Sequence, residues 1–345
     1  MLMPSLAVIY HSPMCEETTR KFIFNQLVEL ECIKPDGEVP EIQLFPPPGK
    51  ADLKFMGEAL TYHMEDISVP RGWLLGEKIS PKKSPVEARK VVYTDLDGTL
   101  LHPLSNSYSP ALEGLRFLQG KMVPIIFCSA KTLAEQESLR KELDVRDPFI
   151  VENGGAIYVT GEYFRFPFSY TRAAGDYLVI ELGASYAEIK QRLKLVSETG
   201  TCKFVAFGDI GIEEVARYTG LNLHQAQLAK DRQYSETIII TGSQRDKGLT
   251  LDAIHKEGLH CVCGGRFFEV NLGSDKGKAV KILSELYKLN FDEIITFGVG
   301  DGENDIPMFH SVDHPLLVQN SEKRWTNVKI KGLVKIKGVG PAGFS

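Results

Sequence analysis

After residue 88 the chain alternates between short apolar, β-rich runs and amphipathic segments, and this alternation limits the fold more than any other feature. Strands are expected at 90–94, 123–128, 149–151, 177–182, 203–207, 236–241, 267–271, 293–298 and 316–319. Helices are expected at 109–119, 133–143, 186–198, 212–219, 249–256 and 276–287. Such alternation argues for a parallel sheet with helices on both faces, because a parallel crossover is long enough to hold a helix. The expected class is α/β with a Rossmann-like parallel-sheet core. Ligands of such sheets bind beyond the carboxyl ends of the strands, so the residues that follow each strand carry the chemistry.

The first 88 residues read differently. They hold ten of the 18 prolines, including Pro46-Pro47-Pro48 and a linker-like stretch from Ser80 to Pro85. They carry a net charge of −4 of the chain's −5. A strand is expected at 6–10 and helices at 16–30 and 52–64, which makes residues 1–88 a small α/β module. Such an extension is expected to bind a protein partner or mediate dimerisation. Its His11, Cys15, Cys32 and His63 have no spacing that suits a metal.

Composition excludes several classes of function. The chain has no basic field, so nucleic acid is not expected as a partner. No apolar run approaches the roughly 18 residues of a membrane span, and the short run at 6–10 lacks the basic flank of a signal peptide. Six scattered cysteines suit free thiols in a reducing cytoplasm better than a disulfide scaffold.

Four strand ends stand out. Val91–Thr94 runs into Asp95-Leu96-Asp97-Gly98-Thr99, and two carboxylates at the end of a buried run are an expensive way to build a helix cap. Ile125–Cys128 ends in Ser129, which alone reads as a cap, followed by Lys131. Lys276 opens a helix, where the dipole disfavours a cation unless it faces an anion. Finally, Thr296–Gly298 leads into Gly300-Asp301-Gly302-Glu303-Asn304-Asp305. Together these residues suit a phosphoryl group and a divalent metal. Asp95, Asp97 and Asp301 are the expected metal-holding residues, one of them through a backbone carbonyl, and Mg²⁺ suits so few hard oxygen ligands.

The four motifs resemble those of the haloacid dehalogenase superfamily of Mg²⁺-dependent phosphohydrolases. From Asp95 to Ser129 is 34 residues, too few for an inserted domain, whereas from Ser129 to Lys276 is 147. This is similar to the branch with a large α/β cap after the second motif. The resemblance implies a split core of residues 89–169 and 266–345 with a substrate-specificity cap at 170–265. It also implies roles. Asp95 would be the nucleophile and Asp97 the general acid and base. Ser129 and Lys276 would neutralise phosphoryl charge, and Asn304 and Asp305 would orient the metal's ligands.

The cap narrows the resemblance further. Leu228-Ala229-Lys230-Asp231-Arg232-Gln233-Tyr234-Ser235-Glu236 looks like the cap motif of mannosyl-3-phosphoglycerate phosphatases, although Thr237 stands where that family often has proline. Gly264-Gly265-Arg266-Phe267-Phe268 and Gly338–Phe344 match that family too. The implied substrate is a phosphorylated sugar-glycerate, and Lys131, Arg232, Ser235 and Arg266 are the expected substrate-binding residues. Sucrose-phosphate-like phosphatases and phosphomannomutase-like isomerases are the alternatives.

Overall fold

The computed structural model describes residues 6–9, 42–45, 88–200, 202–264 and 267–345. Two strands of the extension, β1 (Leu6–Ile9) and β2 (Ile42–Phe45), pair in parallel with Leu6 opposite Ile42. The helices expected at 16–30 and 52–64, the linker and the expected partner role fall outside the described residues. The chain divides into two units, Met1–Glu87 with Phe166–Ser169, and Ala88–Arg165 with Tyr170–Ser345. The second unit holds the remaining three sheets.

In chain order the second unit contains β3 (Arg89–Thr94), α1 (Leu112–Gly120), β4 (Ile125–Phe127), α2 (Leu133–Glu142), β5 (Phe149–Val151), β6 (Ala156–Thr160), β7 (Arg172–Ala174) and β8 (Tyr177–Glu181). There follow α3 (Tyr186–Glu198), β9 (Phe204–Ala206), α4 (Ile212–Thr219), α5 (Leu223–Lys230), β10 (Ser235–Ile240), α6 (Gln244–Lys256), β11 (His260–Gly264) and β12 (Phe267–Asn271). The chain ends with α7 (Lys276–Phe291), β13 (Ile294–Gly300), α8 (Ile306–Phe309), β14 (His314–Gln319), β15 (Val334–Val339) and α9 (Pro341–Phe344).

The five-stranded parallel sheet has the order β15-β14-β13-β3-β4. Its inner strand β3 lies between β13 and β4, and Val91, Val92, Tyr93 and Thr94 on it are all buried. Only a strand covered on both faces buries four successive residues, which is why its sequence reads as an unbroken apolar run. Val92 stands opposite Phe297 on one side and Ile125 on the other. The register places Asp95, Ser129 and Asp301 at the same edge, each just past the end of its strand.

Two antiparallel sheets complete the unit. One has the order β5-β6-β8-β7 and meets the parallel sheet through a bridge between Cys128 and Ile150. The other has the order β11-β12-β10-β9. Strand β12 lies in this second sheet, with Asn271 opposite Ser235, and not in the parallel one. Its run of apolar residues reads the same in either setting. Two residues separate it from β11, however, too few for a parallel crossover. Strand β8 likewise pairs with β6, and β7 with β8, both antiparallel and outside the parallel sheet.

The chain passes to the β9–β12 sheet and back through two segments lying side by side. The Leu182 and Gly183 amides both donate to the Gly155 carbonyl, at 2.9 and 3.0 Å, and the Ala184 amide donates to the Leu272 carbonyl at 3.0 Å. Each sheet system has its own core. Leu96, Leu115, Phe127, Phe149 and Tyr158 pack in one, and Ile189, Leu193, Ile238, Ile254 and Val270 in the other. Among the described residues, no helix is long and apolar enough to cross a membrane.

Ile238 is fully buried at the centre of the second core. Ile238→Ala is expected to cost about 2–5 kcal/mol through lost burial and the cavity left behind. Urea denaturation followed by circular dichroism measures this, and a loss under about 0.5 kcal/mol, typical of a surface change, contradicts the packing described.

Candidate active site

The edge of the parallel sheet gathers its polar groups around one lysine. Lys276 is the first residue of α7 and is 1% exposed. Its Nζ lies 2.5 Å from Asp95 Oδ1 and 2.7 Å from Asp305 Oδ1. A buried ammonium is tolerated only when paired and hydrogen-bonded. Burial on its own would lower the lysine's pKa, but the Asp305 and Asp95 carboxylates outweigh it and keep the group charged.

The carboxylates are crowded in turn. Asp95 follows β3, and its amide donates to the Val299 carbonyl at 2.9 Å, which ties the end of β3 to β13. Burial pushes the Asp95 carboxyl well above its ordinary value; Lys276 opposes this, while Asp305 and Asp301 add to it. Asp301 follows β13 and is pushed up to about 7, first by burial and then by Asp305. Thr99 Oγ1 donates to Asp301 Oδ1 at 3.4 Å. This approach depends on Gly98, whose φ is +84°, since a Cβ there would sit 2.4 Å from Asp301 Oδ2.

Carboxylate oxygens of Asp95, Asp301 and Asp305 lie within 4.8 Å of one another. Three carboxylates against one ammonium leave a charge of −2 when all are ionised, which is what a divalent cation neutralises. The donor set is all oxygen, as Mg²⁺ requires. The residues therefore fit a divalent metal. Asp305 already uses both oxygens: Oδ1 accepts from Lys276, and Oδ2 accepts from the amides of Asp301 and Gly302 at 3.0 and 3.1 Å. Its role is to hold Lys276 and the Asp301 loop in place. Asn304 is half-buried on the same loop.

The Asp97 carboxylate stands outside this cluster, which leaves its backbone carbonyl as the form in which it belongs to the expected metal-holding set. It is exposed, and its Oδ1 lies 3.0 Å from Lys131 Nζ. The chain has already turned at Leu96, which buries its own side chain and swings the next carboxylate outward. Any share of Asp97 in holding metal falls to its backbone. Lys131 is thus placed beside Asp97, with Glu135 at 3.4 Å. Ser129 is 1% exposed past β4, and its Oγ accepts from the Lys131 amide at 3.3 Å.

Arg232 and Ser235 lie at the junction of the two sheet systems. Arg232 donates to Ser235 Oγ at 2.7 Å and lies 3.5 Å from Glu269 Oε2. Ser235 donates to Glu152 Oε2 at 2.6 Å. Glu152 also accepts from the amides of Gln233 and Tyr234, at 2.8 and 3.0 Å. Both expected substrate-binding residues thus belong to a buried network that clamps the 233–235 segment onto the turn after β5. Burial raises the pKa of Glu152, and raises that of Glu269 to about 7, against the pull of Arg232. Sequence reading missed Glu152 and Glu269 as members of the site. The only local signal was the Glu152-Asn153-Gly154 turn, whose φ values are all positive. Arg266 falls outside the described residues.

A cavity of about 350 Å³ opens beside Lys276, lined by Asn153, His260, Asn271, Ser274 and Asn304 among others. It joins the catalytic edge to strands β11 and β12.

Comparison with known proteins supports the same assignment. A family described as haloacid dehalogenase-like hydrolase matches residues 92–168 and 264–329. A glucosyl-3-phosphoglycerate/mannosyl-3-phosphoglycerate phosphatase of Methanococcoides burtonii is 37% identical over 258 residues, covering 74% of this chain and 95% of that protein. A mannosyl-3-phosphoglycerate phosphatase of Pyrococcus furiosus is 43% identical over 229 residues, 66% of this chain and 90% of that one. Among solved structures, Thermoplasma acidophilum 0175 shares the fold with a TM-score of 0.50 at 19% identity, covering 70% of this chain and 87% of that one. The chain belongs to the haloacid dehalogenase-like hydrolase family and is a phosphatase within it.

Proposed function

We propose that this protein hydrolyses the phosphate ester of a glycosyl-3-phosphoglycerate, with a mannosyl or glucosyl group, through an aspartyl-phosphate on Asp95 and with Mg²⁺ as cofactor. The observation that carries this reading is the buried Lys276 bridging Asp95 and Asp305 beside a polar cavity, in a chain whose relatives bear those substrates in their names.

Asp95 attacks phosphorus in line, forming the carboxylate O–P bond as the ester O–P bond breaks. Lys276 fixes the rotation of the attacking carboxylate through its Oδ1. Asp97 gives its proton to the departing alkoxide, then takes one from the water that attacks the aspartyl-phosphate, so the second half-reaction restores both acids. Its exposure and its position beside Lys131 support this role. Ser129 and Lys276 stabilise the equatorial phosphoryl oxygens. Asp95, Asp301 and the Asp97 backbone would hold Mg²⁺, which when bound would supply positive charge against the negative charge of the transferring phosphoryl group.

The segment from Gly183 to Leu272, built on β9–β12, is the specificity cap in this reading, beginning and ending later in the chain than 170–265. Among the described residues, the free thiols of Cys128 and Cys261 support a reducing cytoplasmic setting.

Asp95→Asn is expected to lower Mg²⁺-dependent phosphate release by about 10⁴-fold or more on mannosyl- and glucosyl-3-phosphoglycerate, since it removes the nucleophile. Equal release by variant and wild type, or greater wild-type activity on sucrose phosphate or hexose phosphates, overturns the reading. A pH dependence follows from Asp301. Without metal, the folded chain holds a proton on Asp301 that an unfolded carboxylate has released. Stability therefore falls as pH rises from about 4 to 7. Thermal melts in EDTA are expected to decline across that window, and the gain on adding Mg²⁺ is expected to widen toward pH 7. A Mg²⁺ gain that is the same at every pH contradicts the assignment.

A further inference from the structure

Seven buried side-chain atoms among the described residues lack a hydrogen-bond partner, and their distribution is uneven. Three of them, Asn153 Oδ1, Asn271 Oδ1 and Ser274 Oγ, belong to residues lining the 350 Å³ cavity beside Lys276. These residues are 5%, 1% and 6% exposed. They come from three separate segments: the turn after β5, the end of β12, and the loop before α7. A native fold rarely leaves buried polar atoms unpaired, and three converging on one cavity point to a ligand that pairs them.

Their chemistry indicates which part of the substrate they meet. Asn153 presents its side-chain carbonyl oxygen as the unpaired atom. Asn271 also presents its carbonyl oxygen as the unpaired atom, and Ser274 can either accept or donate. Unpaired acceptors repel phosphate and carboxylate, and they suit neutral groups that donate. The larger cavity of about 360 Å³ near Arg172 offers no such set. There Arg172 is already shared among Glu181, Gln233, Tyr158 and Tyr234.

We infer that Asn153, Asn271 and Ser274 form a subsite that reads the hydroxyls of the sugar ring, leaving the anionic groups of the substrate to Lys276 and Lys131. This inference rests on the glycosyl-3-phosphoglycerate reading above and adds to it the residues that select the glycosyl part. A substrate without the sugar leaves these acceptors unpaired, and a site built to hydrogen-bond hydroxyls discriminates strongly against such a substrate.

The test compares glucosyl- or mannosyl-3-phosphoglycerate with 3-phosphoglycerate in wild type, Asn271→Leu and Ser274→Ala. Asn271→Leu keeps the side-chain volume and removes the acceptor; Ser274→Ala removes a single oxygen and serves if the first variant does not fold. Each is expected to raise KM for the glycosylated substrate about 5- to 20-fold with kcat changed less than about threefold. The ratio of kcat/KM between the two substrates is expected to fall by the same factor. Equal losses on both substrates, or no loss on either, overturn the subsite. If wild type itself shows no preference for the glycosylated substrate, the glycosyl-3-phosphoglycerate reading fails, whatever the variants do.

Discussion

The ammonium of Lys276, held between Asp95 and Asp305, is the interaction on which the rest of the site depends. It sits at the first position of α7, where the helix dipole is unfavourable to a cation, and it is fully enclosed. Only nearby anions offset both costs. Its partners come from the ends of two neighbouring strands, β3 and β13, so one side chain joins two strand ends to one helix. The close approach is built into the backbone: a Cβ on Gly277 would meet the Pro307 carbonyl oxygen at 2.3 Å. Only glycine lets α7 lie against the 305–309 segment, and that contact brings Lys276 within reach of Asp305.

A second buried constraint joins chemistry to specificity. Glu152, in the strained turn after β5, accepts hydrogen bonds from the amides of Gln233 and Tyr234 and from the Ser235 hydroxyl. These residues lead into β10, a central strand of the second antiparallel sheet. The turn that supplies Glu152 also supplies Asn153 to the cavity wall. One three-residue turn therefore clamps the two sheet systems together and presents a polar atom to the substrate space. Arg232 and Glu269 complete the clamp from the opposite side.

Much of this was legible in the sequence, for identifiable reasons. A strand buried on both faces must be an unbroken apolar run, so Val91–Thr94 marked itself and the acids after it. Lys276 was visible because a lysine opening a helix is electrostatically out of place. Other features were not legible. The outward turn of the Asp97 carboxylate depends on Leu96 burying itself, which spacing alone does not encode. The direction of β12 depends on the two-residue link to β11. Arg232 and Ser235 have the residue types of a ligand site, yet their partners Glu152 and Glu269 lie far away in the chain. Asn153 and Asn271 are 118 positions apart, and nothing local shows that both face one cavity.

The central claim is that a charged, buried Lys276 organises the nucleophile and the transferring phosphoryl group. Lys276→Met tests it most directly, since it keeps most of the side-chain volume and removes the charge. With saturating Mg²⁺ and a fold verified by circular dichroism, phosphate release from glucosyl- or mannosyl-3-phosphoglycerate is expected to fall by about 10²- to 10³-fold or more. A folded variant that retains activity within about threefold of wild type contradicts the claim.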